Sequence, residues 1–280
     1  MEVDNYRMNN FIHPIDVLVT RYPQLSMPIM RGISKSKEYA DVCLKGALSD
    51  RKPEFIKSQD DRLETVDTIA GCVDVLYLAN REDFEHAYRA LGYRCEPEDI
   101  PITIGAVTLL GLNNWEKVRQ IGGIKAATDK KLYKDTMILL SKGVYSGVSA
   151  EIVGMSEQEW IEKSYIIRKY HEITHYISRN IYPNNKNAVR DEVMADMIGL
   201  LFAFSQYDTH LAKVFLGIEN DIYRVGGRLE NYVANGQDIS DVFMYANRCV
   251  EVFKDNLVNL DLTNPFEILN LYEKEKIGLE

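Results

Sequence analysis

Apolar positions recur most regularly in the middle of the chain, where Ile166, Ile167, Tyr170, Ile173, Thr174 and Ile177 fall at the three- and four-residue spacing of a helix with one buried face. "SEQE" at 156–159 opens that segment as a capping box, with Ser156 and Glu159 each placed to satisfy a backbone N–H of the other, and Pro183 stops it after Tyr182. A second helix is predicted from Ala188 to Ser205, with Val193, Ile198, Leu201 and Phe202 in its apolar stripe, and further helices over 209–233, 240–259 and 265–276.

The first half alternates differently. "DTIAGCVDVLYLA" (67–79) is an apolar run of strand or buried-helix type, and in "REDFEHAYRALGY" Phe84, Ala87, Tyr88 and Leu91 share one helical face. "PITIGAVTLLGL" (101–112) predicts one or two short strands or a buried helical turn, followed by a helix around "NNWEKVRQI". "DTMILLSKGVYSG" (135–147) has an apolar core the length of a short strand. Residues 1–60, broken by Pro14, Pro23, Pro28 and Pro53, are expected to wrap the surface with short helices. The pattern predicts an α+β fold, mostly helical with a small sheet before the long helix, organised as an N-terminal α/β region (1–135) packed on a core (136–280).

Composition narrows the function. At 280 residues with 46% hydrophobic and 27% charged side chains the chain suits a soluble globular protein. A net charge of −9 without a Lys/Arg cluster argues against nucleic acid as a partner. No apolar stretch reaches membrane-spanning length, and the acidic, polar start "MEVDNYRMNN" lacks the basic-then-apolar order of a secretory signal. Cys43, Cys72, Cys95 and Cys249 are widely spaced and read as reduced, mostly buried thiols. These features together predict a cytoplasmic location without membrane contact.

Two of the five histidines stand in "KYHEITHYIS", inside the capped helix. Residues four apart on a helix are about 40° apart around its axis, so His171 and His175 can hold one ion, whereas Glu172 lies about 100° round, placed to take a proton from a water on that ion. HExxH is short enough to arise by chance, and its place well inside an amphipathic helix is what gives it weight here. A catalytic zinc takes three protein ligands and one open position. In "RDEVMADMIG", Glu192 is the candidate third ligand, and Asp196, four residues on, is placed to accept the second ring N–H of a ligand histidine. Asp191 points about 100° away from Glu192 and reads as a solvated charge. His13 and His86 read as structural or surface residues.

HEITH followed by a helix with Glu-x-x-Ala-Asp resembles the gluzincin clan of zinc metallopeptidases, over roughly residues 136–206. The resemblance implies a zincin-like fold, one zinc ion on His171, His175 and Glu192 supported by Asp196, and Glu172 as general base in peptide-bond hydrolysis. It also implies that the strand in "TMILLSKGVYSG" forms the edge against which an extended peptide pairs, with an ordinary core strand as the alternative. Members of the clan usually stabilise the oxyanion with a residue from the C-terminal helical region. His210, Tyr223, Arg224, Arg228 and Tyr232 are available, with Tyr223 and Arg228 preferred. The partner expected is a peptide or protein substrate. "EVMADMIGLLFAF" is also similar to the corresponding helix of ImmA/IrrE-type regulatory peptidases, which cleave a specific protein, although no helix-turn-helix is evident in the N-terminal region. A third reading, a non-catalytic helical protein in which zinc is structural or absent, belongs to a different class.

Overall fold

Two residues, Ile69 and Ala70, join strand β1 (Arg62–Thr68) to strand β2 (Gly71–Leu78), a connection that only antiparallel neighbours permit. With β3 (Ala106–Asn113) and β4 (Lys134–Ser141) they form a four-stranded sheet in the order β1-β2-β4-β3. The computed structural model describes residues 12–126, 128–184, 187–257 and 264–272. The architecture is mixed, mainly helical with a small sheet, and so α+β.

The apolar run at 67–79 therefore contains a hairpin turn as well as a strand, and β1, which precedes it, has too few apolar positions to stand out. The strand at 134–141 is an inner one, paired with both β2 and β3. That corrects the expectation that it offers an edge: among the described residues the sheet's edges are β1 and β3. Within β3, Gly111 takes a left-handed φ of +67°, which few other residues adopt without strain.

By contacts the chain divides into two units, residues 1–64, 76–100 and 109–139, and residues 65–75, 101–108 and 140–280. The second thus draws two segments from the first 135 residues.

In the first unit, the short helix α1 (Pro14–Leu18) is capped by His13, whose Nδ1 accepts the Ile15 N–H at 3.2 Å while Nε2 meets Asp61 at 2.8 Å. Ile15, Leu18, Tyr22 and Leu25 are completely buried with Leu76, Leu78 and Phe84, so this segment supplies core where a surface wrap was expected. A further short helix, α2 (Lys37–Tyr39), leads into a π-turn at Ala40–Leu44. Helix α3 (Arg81–Gly92) starts on an Asn80 cap, and α4 (Trp115–Gln120) on Asn114. Trp115, Val118 and Tyr133 make a small cluster of their own.

In the second unit, a short helix α5 (Ala150–Val153) precedes α6 (Glu157–Ile181), which begins on the Ser156–Glu159 capping box. Helix α7 (Ala188–Phe204) is buried on most sides. A Cβ at Gly199 would stand 2.8 Å from the Ile167 carbonyl oxygen, so the missing side chain lets α7 lie directly on α6. Tyr170 and Phe202 stack between the two helices with ring centroids 3.5 Å apart.

The expected helix over 209–233 is only α8 (Thr209–Leu216). Gly217 ends it at φ +81°, and Asn220 and Asp221, both at positive φ, turn a small hairpin between β5 (Ile218–Glu219) and β6 (Ile222–Tyr223). Two left-handed residues are what a two-residue hairpin requires, and Asn-Asp is a pair that tolerates them. A 3₁₀ turn at Arg228–Tyr232 and helix α9 (Ile239–Leu257) follow, then a 3₁₀ segment at Pro265–Tyr272; the remainder of the helices expected over 240–259 and 265–276 lies outside the described residues.

Cys43, Cys95 and Cys249 are buried, Cys72 is exposed, and all four are reduced. Among the described residues no helix is long and apolar enough to cross a membrane.

Candidate metal centre

One turn apart on α6, the buried rings of His171 and His175 aim their Nε2 atoms at the same point, 3.0 Å from each other. Glu192, in the first turns of α7, meets them there: Oε1 lies 3.2 Å from His175 Nε2 and Oε2 lies 3.5 Å from His171 Nε2. The close seating of α7 on α6 at Gly199 is what brings the three together.

The other nitrogen of each ring is taken by a carboxylate. Asp196 Oδ1 lies 2.9 Å from His171 Nδ1, and Asp191 Oδ2 lies 2.7 Å from His175 Nδ1. Asp191 is held in turn by the Ser178 hydroxyl at 2.7 Å. Asp191 is thus the partner of a histidine, which corrects its reading as a solvated charge: the helix start swings it back towards α6.

A proton shared with a carboxylate at Nδ1 leaves each Nε2 with a lone pair, and Glu192 adds a third acceptor. Three acceptors pointed at one point repel unless a proton or a metal cation stands between them. An ion bound tetrahedrally about 2.0–2.1 Å from nitrogen or oxygen keeps its ligand atoms about 3.3–3.4 Å apart. The two ring nitrogens stand 3.0 Å apart, with Oε1 of Glu192 3.2 Å from one and Oε2 3.5 Å from the other, spacings close to that edge, and the donor set of two imidazoles and one carboxylate is one that zinc accepts.

Charge leads to the same conclusion. With neutral imidazoles, Asp191, Glu192 and Asp196 against the single guanidinium of Arg228 leave two negative charges, which a divalent ion neutralises. Burial would lower the pKa of His175, yet Asp191 and Glu192 outweigh it and push the ring up to about 10; until an ion binds, a proton therefore takes the cation's place on this ring, and metal binding has to displace it. Burial would raise the Glu192 carboxyl, but His175, His171 and Arg228 hold it far below the usual carboxylate range. Asp196, completely buried, is likewise held low against its burial by Arg228, His171 and Tyr145.

Two phenols and the guanidinium complete the surround. The Tyr145 hydroxyl donates to Asp196 Oδ1 at 2.6 Å and lies 2.9 Å from His171 Nδ1. Burial and Asp196 push that phenol well above its ordinary pKa, so it stays a donor. Arg228 donates to Asp196 Oδ2 at 2.6 Å, to Glu192 Oε2 at 3.3 Å and to the Tyr145 oxygen at 3.3 Å. The Tyr232 phenol is pushed up by burial and by the charge of Glu192.

Glu172 stands beside the ligands on α6, half-buried, and accepts a 2.7 Å hydrogen bond from the Thr108 hydroxyl of β3. Of the two preferred oxyanion candidates, Arg228 is in the cluster and Tyr223 is not: its hydroxyl is spent on the Gly227 carbonyl at 3.0 Å. His210 is exposed at the start of α8, and Arg224 pairs with Glu219 at 3.4 Å. Tyr145 and Thr108 are the partners that sequence reasoning missed. Each sits in an unremarkable strand or turn context, and only the fold brings it to α6.

A family model described as a family of unknown function, DUF7005, matches residues 5–270, and the chain belongs to that family. No curated protein and no solved structure matches it.

Proposed function

We propose that this member of the DUF7005 family is a zincin-like metallohydrolase that cleaves peptide bonds, with His171, His175 and Glu192 as ligands of one zinc ion. The observation that carries the proposal is the convergence of three acceptor atoms within 4.8 Å, with both Nδ1 positions already committed to carboxylates.

A zinc ion bound there supplies an acidified water and a Lewis acid for a carbonyl oxygen. Glu172 takes the proton of the attacking water and returns it to the leaving amine. Asp191 and Asp196 fix the tautomer and aim of the two rings. Arg228 orients the Glu192 carboxylate, and Tyr145 locks Asp196 against His171. An extended peptide seats on the unpaired edge of β3, the edge strand that carries the hydrogen-bond donor to Glu172.

Arg228 favours a second reading. Because it already gives Glu192 and Asp196 a cationic partner, the cluster also closes as a buried ion network in a non-catalytic helical protein. Metal content separates the two. Purified protein should hold one zinc per chain and cleave members of a peptide library, with Glu172→Gln keeping the zinc and losing the cleavage. Zinc-free protein that cannot be loaded would leave the ion network as the better account.

A further inference from the structure

We propose, resting on the metallohydrolase reading, that Thr108 is a positioning residue for Glu172 and acts on the base from the edge strand of the sheet. Its Oγ1 donates to Glu172 Oε2 at 2.7 Å across 64 residues of sequence. A carboxylate on a flexible side chain can offer either oxygen in many orientations. Holding Oε2 leaves Oε1 as the acceptor and limits the turn of the group, and a hydrogen bond to an ionised oxygen is among the stronger kinds.

The donor is itself held. Thr is stiff at χ1, so its hydroxyl direction follows the strand backbone. Just before β3, the Gly105 carbonyl accepts the Ser141 N–H at 2.8 Å. A Cβ at Gly105 would stand 3.0 Å from both Nε and Nη2 of Arg168, so the bare glycine is what lets the start of the strand approach that guanidinium. Arg168, one turn before Glu172 on α6, donates to the carbonyls of Ser141 at 2.9 Å and Val144 at 3.0 Å. The start of β3 is thereby referenced to the helix that carries the base, and a chain seated on β3 would bear on the residue that orients Glu172.

The test uses cobalt(II)-loaded protein and acetohydroxamate, read by the visible cobalt bands, and needs no known substrate. Acetohydroxamic acid chelates a metal through its carbonyl and N–O oxygens as its O–H bond breaks and the proton passes to a neighbouring carboxylate, so its affinity reports on the poised base. Thr108→Val is expected to weaken the hydroxamate about tenfold, Thr108→Ala similarly, and Thr108→Ser to restore it, with cobalt affinity equal in all three. Wild-type hydroxamate affinity in Thr108→Val, or a Thr108→Ser variant as weak as Thr108→Val, would overturn the inference while leaving the metal reading intact. A wild-type chain that takes up no cobalt, or whose cobalt spectrum ignores hydroxamate, would instead overturn the metallohydrolase reading and this inference with it. Equal cobalt affinity also serves as the control that the variants are folded.

Discussion

Asp191 Oδ2 sits 2.7 Å from His175 Nδ1, on the far side of the ring from the nitrogen aimed at Glu192. Losing such a partner of a ligand histidine costs metal affinity about 10–100-fold. Asp191→Asn should weaken zinc binding within that range, and Asp196→Asn should do the same through His171. Competition against a chromophoric chelator measures both, and affinity unchanged in either variant would show that the carboxylate does not tune its ring.

Glu172 bears on turnover and leaves the ligand set alone. Glu172→Gln should keep zinc at one per chain and lose at least about a thousandfold of any peptidase activity, in the upper range for removing a general base. Metal analysis beside peptide cleavage checks this, and substantial residual cleavage would move the proton acceptor elsewhere.

Arg228 holds the completely buried Asp196 by a 2.6 Å bond. Replacing it with Leu strands that carboxylate, and breaking a buried pair from one side costs about 3–5 kcal/mol. Chemical denaturation should show a loss approaching that size. A loss under about 1 kcal/mol would mean that Tyr145 and His171 suffice for Asp196.

Gly199→Ala pushes a methyl against the Ile167 carbonyl and should cost about 1–3 kcal/mol. Because the ligands stand on both helices, the same variant should also bind zinc more weakly, which calorimetric titration would reveal. Reduced stability with full zinc affinity would show that the centre adjusts to a wider helix spacing.

On α3, Glu85 is clasped by Arg81 at 2.8 Å and Arg89 at 3.0 Å, and although burial raises its pKa these two partners hold the carboxyl below its usual range. A depressed carboxyl stabilises the fold fully above its unfolded pKa of about 4.3, and the contribution disappears as pH falls through the folded value. Glu85→Gln should therefore be less stable than wild type at pH 7, by under about 1 kcal/mol for a partly buried surface cluster, with the difference shrinking towards pH 3. Urea titrations at the two values decide it.

The ligand helices were legible because their signals are local. A capping box starts α6, Pro183 follows its end, and HExxH and Glu192 sit at spacings that a helix converts into faces. Helical angles on α7 alone turn Asp191 away from Glu192 and say nothing of its partner, His175, which lies on α6. Tyr145 and Thr108 depend on chain segments that meet only after the sheet forms. The 209–233 segment was read as one helix because its apolar spacing continues past Gly217, while the Asn220–Asp221 pair that turns the chain carries no apolar signal.

Gly111 has a bearing on how the protein behaves at high concentration. An unpaired strand is a template for any other strand, including one from another molecule, and Leu110 on β3 is 61% exposed. The left-handed residue that follows Leu110 interrupts the strand's regular course, so a long flat partner cannot zip along its whole length. The open edge is in effect shortened to a few residues. An edge broken in this way is a poor seed for the stacking of whole sheets into fibrils.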